Sequence, residues 1–213
     1  MKPFNATTLM SSAVFFSFAL LTACNHDETT SLKPIDKVVI DSIEDNFSEQ
    51  STLWKSYAGH WQFKNGELQQ NSTTDDYPII LREDKPRSDI DIQLRFKPVS
   101  GKIDASGGII FRAQDEDNYY LVRANALEDN FRLYTFTDGY RHQLASATVT
   151  PPALGKFHTM QVIAKGDHIQ AYLDNKLALD FHDSTFKKGY TGLWTKADSV
   201  TVFDDFKVSE LGK

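Results

Sequence analysis

The chain has 213 residues, and 23 lysines and arginines against 29 aspartates and glutamates give it a net charge of −6. That mild acidity argues against nucleic acid as a partner and against a polybasic patch on a membrane surface. Its single cysteine, Cys24, excludes an internal disulfide, so the fold has to rest on a large core, for which 11 of the 15 phenylalanines and all 8 tyrosines lie beyond residue 23, or on a bound ion.

Residues 1–23 carry Lys2 and no acid, then a mostly apolar run over 9–21 that is too short to span a bilayer. A positive start, a short apolar stretch and a small-residue site describe an export signal. The segment Leu21-Thr22-Ala23-Cys24 resembles the bacterial lipobox. The resemblance implies a signal peptide over 1–23 and a lipid on Cys24, with an ordinary signal peptide as the alternative. Asn25 stands where some inner-membrane lipoproteins carry a retaining aspartate. A lipid-anchored protein of the bacterial cell envelope, at the outer membrane, is therefore implied. Residues 24–43 open on a polar run and contain Pro34, which reads as a tether. The stretch 37–43 is able to add an edge strand, and the domain proper is expected over 44–213.

Beyond residue 45 the pattern is β throughout. Ile90, Ile92, Leu94 and Phe96 alternate with Asp89, Asp91, Gln93 and Arg95, the period of a half-buried strand. Apolar runs at 108–112 and 119–123 flank the polar segment Asp115-Glu116-Asp117, a hairpin tip. The run 131–136 leads into Asp138-Gly139, a hairpin turn signal. Strands over 157–165, 168–173 and 177–181 follow, with turns at Gly166-Asp167 and Asp174-Asn175, and 189–208 closes the chain. Many short strands separated by turns predict a sandwich or barrel.

Several separated segments then point to one family: Asp45-Asn46-Phe47, Trp61-Gln62-Phe63-Lys64-Asn65-Gly66-Glu67-Leu68, Gly107-Gly108-Ile109-Ile110-Phe111-Arg112, Asp117-Asn118-Tyr119-Tyr120, Gly192-Leu193-Trp194-Thr195-Lys196 and Phe203-Asp204-Asp205-Phe206. Over about residues 45–210 they resemble the concanavalin A-like lectin/glucanase superfamily, and within it the bacterial domain associated with 3-keto-disaccharide hydrolysis. The resemblance implies an all-β jelly-roll sandwich of two curved antiparallel sheets, with sugar on the concave face of one. It also implies a structural calcium tying the terminal strands, with Asp205 as side-chain ligand and carbonyls from Gly66 and the region of Asp45.

Glycanases of this superfamily carry Glu-x-Asp-x-x-Glu on one strand, gathering acid and nucleophile around one bond. No such triplet occurs here, and no nucleophile elbow or phosphate-cradling glycine loop. The six histidines are scattered, with no pair at a convincing metal-ligand spacing. Arg112 and Arg123 each end an apolar run. They read either as forks for sugar hydroxyls or a carboxylate, or as partners of acids on neighbouring strands. Trp194, Tyr134 and Tyr119 are the aromatics expected to stack on a sugar, Tyr119 because alternation sets it on the face of Arg123. Lys196 and Asp198 are expected at the groove rim. Three functions follow: an envelope-anchored carbohydrate-binding module, a hydrolase or lyase acting on (3-keto-)disaccharides or related glycosides, and a scaffold for a protein partner.

Overall fold

The computed structural model describes Met1, residues 32–74 and residues 76–212. Cys24 and the expected export signal lie outside the described residues. All the regular structure described is β. In chain order the strands are β1 (Val39–Asp45), β2 (Trp54–Ala58), β3 (Trp61–Lys64), β4 (Glu67–Gln70) and β5 (Ile79–Arg87). Next come β6 (Ile90–Ser100), β7 (Ser106–Ala113), β8 (Tyr119–Asn125), β9 (Asn130–Thr137) and β10 (Tyr140–Thr148). The chain ends with β11 (His158–Lys165), β12 (His168–Leu173), β13 (Lys176–His182), β14 (Gly189–Trp194) and β15 (Val200–Leu211).

Two antiparallel sheets result. One runs β13-β12-β11-β6-β15-β4-β3, with β1 as an eighth strand on β15; the other runs β10-β9-β8-β7-β14-β5-β2. The expected jelly-roll sandwich is what the chain forms. The 12 residues of β15 are long enough to hold two partners in tandem on one edge. Residues 201–203 pair with β4 and residues 206–211 with β1. Between them the ladder is interrupted at Asp204, and Asp205 takes a φ of 48°.

Alternation makes the core. Ile90, Ile92, Leu94 and Phe96 of β6 point inward, as their period predicted, and meet Ile109, Phe111, Val122 and Leu133 of the opposite sheet. Asn65-Gly66, Asp138-Gly139 and Asp174-Asn175 all hold positive φ at both residues, the backbone of two-residue hairpin turns that suit the twist of the flanking strands.

The folded unit starts earlier than residue 44. A compact unit begins at Leu32, and β1 starts at Val39. The reason is Gln170, a fully buried amide on the outer side of the eight-stranded sheet. Its Nε2 donates to the Lys33 carbonyl at 2.7 Å and its Oε1 accepts from the Ile35 N–H at 2.9 Å. A buried amide needs such partners, so much of the expected tether lies against the sheet. The closing stretch 189–208 likewise divides into β14 and β15, which belong to different sheets.

Candidate functional site

Along β8, Tyr120, Val122 and Ala124 enter the core, and Tyr119, Leu121 and Arg123 point outward. The register carries this outer face across the seven-stranded sheet. Arg123 lies between Gly108 of β7 and Arg132 of β9, Leu121 beside Tyr134, and Tyr119 beside Phe136, which faces Arg141 of β10. Trp194 of β14 faces Gly108. A Cβ on Gly108 would come within 2.7 Å of Leu121 and 3.2 Å of Arg123, so the glycine is what allows this row to close.

The aromatics of this face form a floor and not an open platform. Trp194 and Tyr119 are fully buried and Tyr134 is only 3% exposed, so the expected stacking surfaces are covered. Tyr119 stacks on Phe136 at 4.5 Å, and Tyr77 lies over Trp194 at 5.5 Å while meeting Phe136 edge-on. The Arg141 guanidinium sits 4.9 Å over Tyr134 and 5.6 Å over Tyr77. Half-buried Tyr77 and Arg141 therefore supply the surface that a ligand would meet.

The polar groups on this face are under-satisfied. Arg123 Nε and Nη1, Arg132 Nε, Arg141 Nη1, the Tyr119 hydroxyl and the Trp194 indole N–H are buried with no hydrogen-bond partner within the protein. Buried polar atoms are normally paired, and each exception calls for a reason. Arg123 keeps one partner: its Nη2 donates to Glu128 Oε2 at 2.8 Å. The same oxygen accepts from Asn130 at 2.9 Å and lies 3.9 Å from Arg132. Burial opposes the charge on Arg123, yet Glu128 and Tyr134 leave its pKa raised. Burial pushes Glu128 up, but the hydrogen bonds from Arg123 and Asn130 outweigh that and hold its carboxyl below the ordinary value. Burial pushes the Tyr119 phenol far upward, so it stays protonated.

Of the residues expected from sequence, Arg123, Tyr119, Tyr134 and Trp194 are brought together. Arg112 is not. A bulge where β7 meets β14 breaks the alternation there, and Arg112 has a φ of 50°. Its Nε donates to the Ser88 carbonyl at 2.9 Å and its Nη1 to that of Phe186 at 3.2 Å, which takes it out of the group. Asp198 is also committed elsewhere: it accepts the backbone N–H groups of Lys102, Ile103 and Asp104, and that of Lys102 does most to lower its pKa. It anchors the loop that carries Asp104, which in turn stands 3.6 Å from Lys196. Glu128, Arg141 and Tyr77 were missed. Only Arg141 had a sequence signal, since the Asp138-Gly139 turn fixes its pairing with Phe136.

The carboxylates near the expected calcium position are engaged within the protein. Asp45 Oδ2 accepts from Arg82 Nη1 and from the Trp54 indole, both at 2.9 Å, and its Oδ1 accepts from the Phe47 N–H. Asp205 receives Arg95 Nη1 at 2.8 Å. Asp205, the expected side-chain ligand, thus already holds a guanidinium, with which a calcium ion would compete.

The fold has solved counterparts. The carbohydrate-binding module CBM66 from Bacillus subtilis is 28% identical, with a TM-score of 0.66, covering 73% of this chain and 95% of that one. A Bacillus licheniformis β-glucanase is 12% identical, with a TM-score of 0.57 and coverages of 79% and 97%, and shows the fold alone. A levanase of Bacillus subtilis (strain 168) is 28% identical over 162 residues, 75% of this chain but 23% of the levanase, so the chain spans about a quarter of that relative. Residues 44–209 match the model of the 3-keto-alpha-glucoside-1,2-lyase-like domain, and the chain belongs to that family.

Proposed function

We propose that this chain is a carbohydrate-binding β-sandwich that holds glycan on the outer face of the seven-stranded sheet. The observation that carries the reading is the gathering of unpartnered donors from Arg123, Arg132 and Arg141 over an aromatic floor. A guanidinium fork matches sugar hydroxyls and carboxylates, and Tyr77 offers a ring for the C–H face of a sugar. The similarity to the CBM66 module supports the same reading. Export through the lipobox at Cys24 would anchor the module to the cell envelope, at the outer membrane. Lys33 and Ile35 on Gln170 would then fix where the tether leaves the sheet.

A glycan array read by mass spectrometry of the captured sugars tests this. Capture with unchanged mass is the expected result. Arg132→Met, at a half-exposed side chain, should weaken capture about tenfold or more while leaving the fold intact, as loss of charge-assisted hydrogen bonds predicts. Captured sugar of changed mass would favour a hydrolase or lyase acting on (3-keto-)disaccharides, which the family description suggests. Equal capture by parent and variant would remove the arginines from the site. No capture at all would favour a scaffold for a protein partner.

A further inference from the structure

On the opposite sheet, β12 and β13 form a hairpin whose register is not the one its turn alone would set. Near the turn, Leu173 pairs with Lys176 and Tyr172 with Leu177. One extra residue, Ala178, is then accommodated in a bulge, and Ala171 pairs with Leu179. Everything beyond shifts by one position. His168 consequently faces His182, and Gln170 faces Asp180. Without the bulge, His168 would stand opposite Phe181, which packs against the core, because a one-residue slip exchanges the faces of a strand.

We propose that His168, Asp180 and His182 form a binding site for a first-row transition ion of the zinc type, on the outer face of the eight-stranded sheet. Their donor atoms all lie within 4.8 Å of one another. The two imidazole rings, on directly paired residues, are stacked 4.4 Å apart and nearly parallel. His168 Nε2 stands 2.7 Å from Asp180 Oδ1, and a bound ion would take the place of the proton between them. Two imidazoles and a carboxylate suit zinc, copper or nickel far better than calcium or magnesium.

Groups outside the three ligands support the assignment. Asp180 Oδ2 accepts from Gln170 Nε2 at 2.8 Å, which leaves Oδ1 directed at His168. Asp167 Oδ1 lies 3.3 Å from His182 Nδ1, the relation by which a carboxylate orients a metal-binding imidazole and selects its other nitrogen as ligand. His182 is exposed, so the ion has access, and three protein ligands leave a fourth tetrahedral position to water. Donors on a tetrahedral zinc ion stand roughly 3.4 Å apart, so closure needs the His168–Asp180 pair to open from 2.7 Å and the exposed His182 ring to turn toward them. Bound there, the ion would clasp edge strand β13 to β12 in a domain without disulfides. Through Asp180 and Gln170 it would also stiffen the attachment of residues 33–35.

Titration of zinc chloride into the purified, chelator-treated protein by calorimetry tests the site. One equivalent should bind, and the melting temperature should rise with zinc concentration. His182→Ala should weaken binding by more than tenfold, and Asp167→Asn by roughly tenfold, as expected for an outer partner. His60→Ala, at an exposed histidine on another edge, should bind as the parent does. Both histidine variants should match the parent's metal-free melting temperature, which keeps misfolding out of the comparison. Absence of zinc binding by the parent, or equal binding by parent and His182→Ala, would overturn the proposal.

Discussion

Two clusters of arginines teach opposite lessons about what a buried guanidinium is for. At the junction of β5 with β1 and β15, Arg82 and Arg87 are closed by acids. Arg87 donates to both oxygens of Asp84 at 2.8 and 2.7 Å and approaches Glu210 at 3.4 Å, while Arg82 donates to Asp45. On the outer face of the seven-stranded sheet, Arg123 and Arg132 share one carboxylate, Glu128, Arg141 lies over Tyr134 and Tyr77, and all three keep unpartnered N–H groups. The first cluster ties two sheets together, and its one buried N–H without a hydrogen bond, Arg82 Nε, still lies 3.5 Å from Asp84 Oδ2. In the second, half-buried Arg132 and Arg141 lie where a ligand would meet them, above donors that no acid holds. Arginine count distinguishes neither; the supply of acids does.

The largest effect expected separates the floor of the open cluster from its donors. Trp194→Ala removes a fully buried ring that Tyr77 stacks on, and should cost about 3–5 kcal/mol, a drop of roughly 10 °C in Tm. Denaturant melts of this variant beside Arg132→Met would show it. A near-native Trp194→Ala that only lost sugar capture would mean that Tyr77 moves aside and the indole is itself the stacking surface.

This distinction marks where the sequence stops being informative. Strand alternation placed Tyr119 and Arg123 on one face correctly, and the three two-residue turns were legible because positive φ favours Asn, Asp and Gly. Local pattern fails where one residue is inserted. The bulge beside Arg112 takes that side chain off the face, and the bulge near Ala171 brings His182 opposite His168. Neither bulge leaves a mark in the sequence, so two histidines 14 positions apart looked scattered. Glu128 and Tyr77 come from connecting segments, and their places depend on tertiary packing that no period encodes. Burial of Trp194 follows from Tyr77, which is distant in sequence.

The closed cluster should reveal itself through acid. Burial alone would raise the Asp84 carboxyl, but the Arg87 hydrogen bonds, a backbone hydrogen bond and nearby Arg82 bring it down to about 2. A carboxylate with a depressed pKa in the folded state adds stability that is full above the unfolded value near 4 and is lost as pH falls through the folded value. Asp84→Asn should therefore cost about 2 kcal/mol at pH 6, and the gap from the parent should narrow between about pH 4 and pH 2. Sugar capture at neutral pH should not change. A constant gap across that range would show that Arg87 does not hold Asp84 as an ion pair.

The smallest effect concerns the interruption in β15, where the sequence resemblance implied calcium. Asp205 sits at a φ of 48°, which Asn tolerates about as well as Asp, so Asp205→Asn changes the charge without straining the backbone. Its bond to Arg95 joins two exposed side chains, and such pairs contribute under about 1 kcal/mol. The variant should melt within a few degrees of the parent, and millimolar calcium should shift neither. A calcium-dependent rise of several degrees in the parent, lost in Asp205→Asn, would show that Arg95 gives way to the ion. The interruption in the ladder would then serve a ligand, and not merely separate the two strands that share one edge of β15.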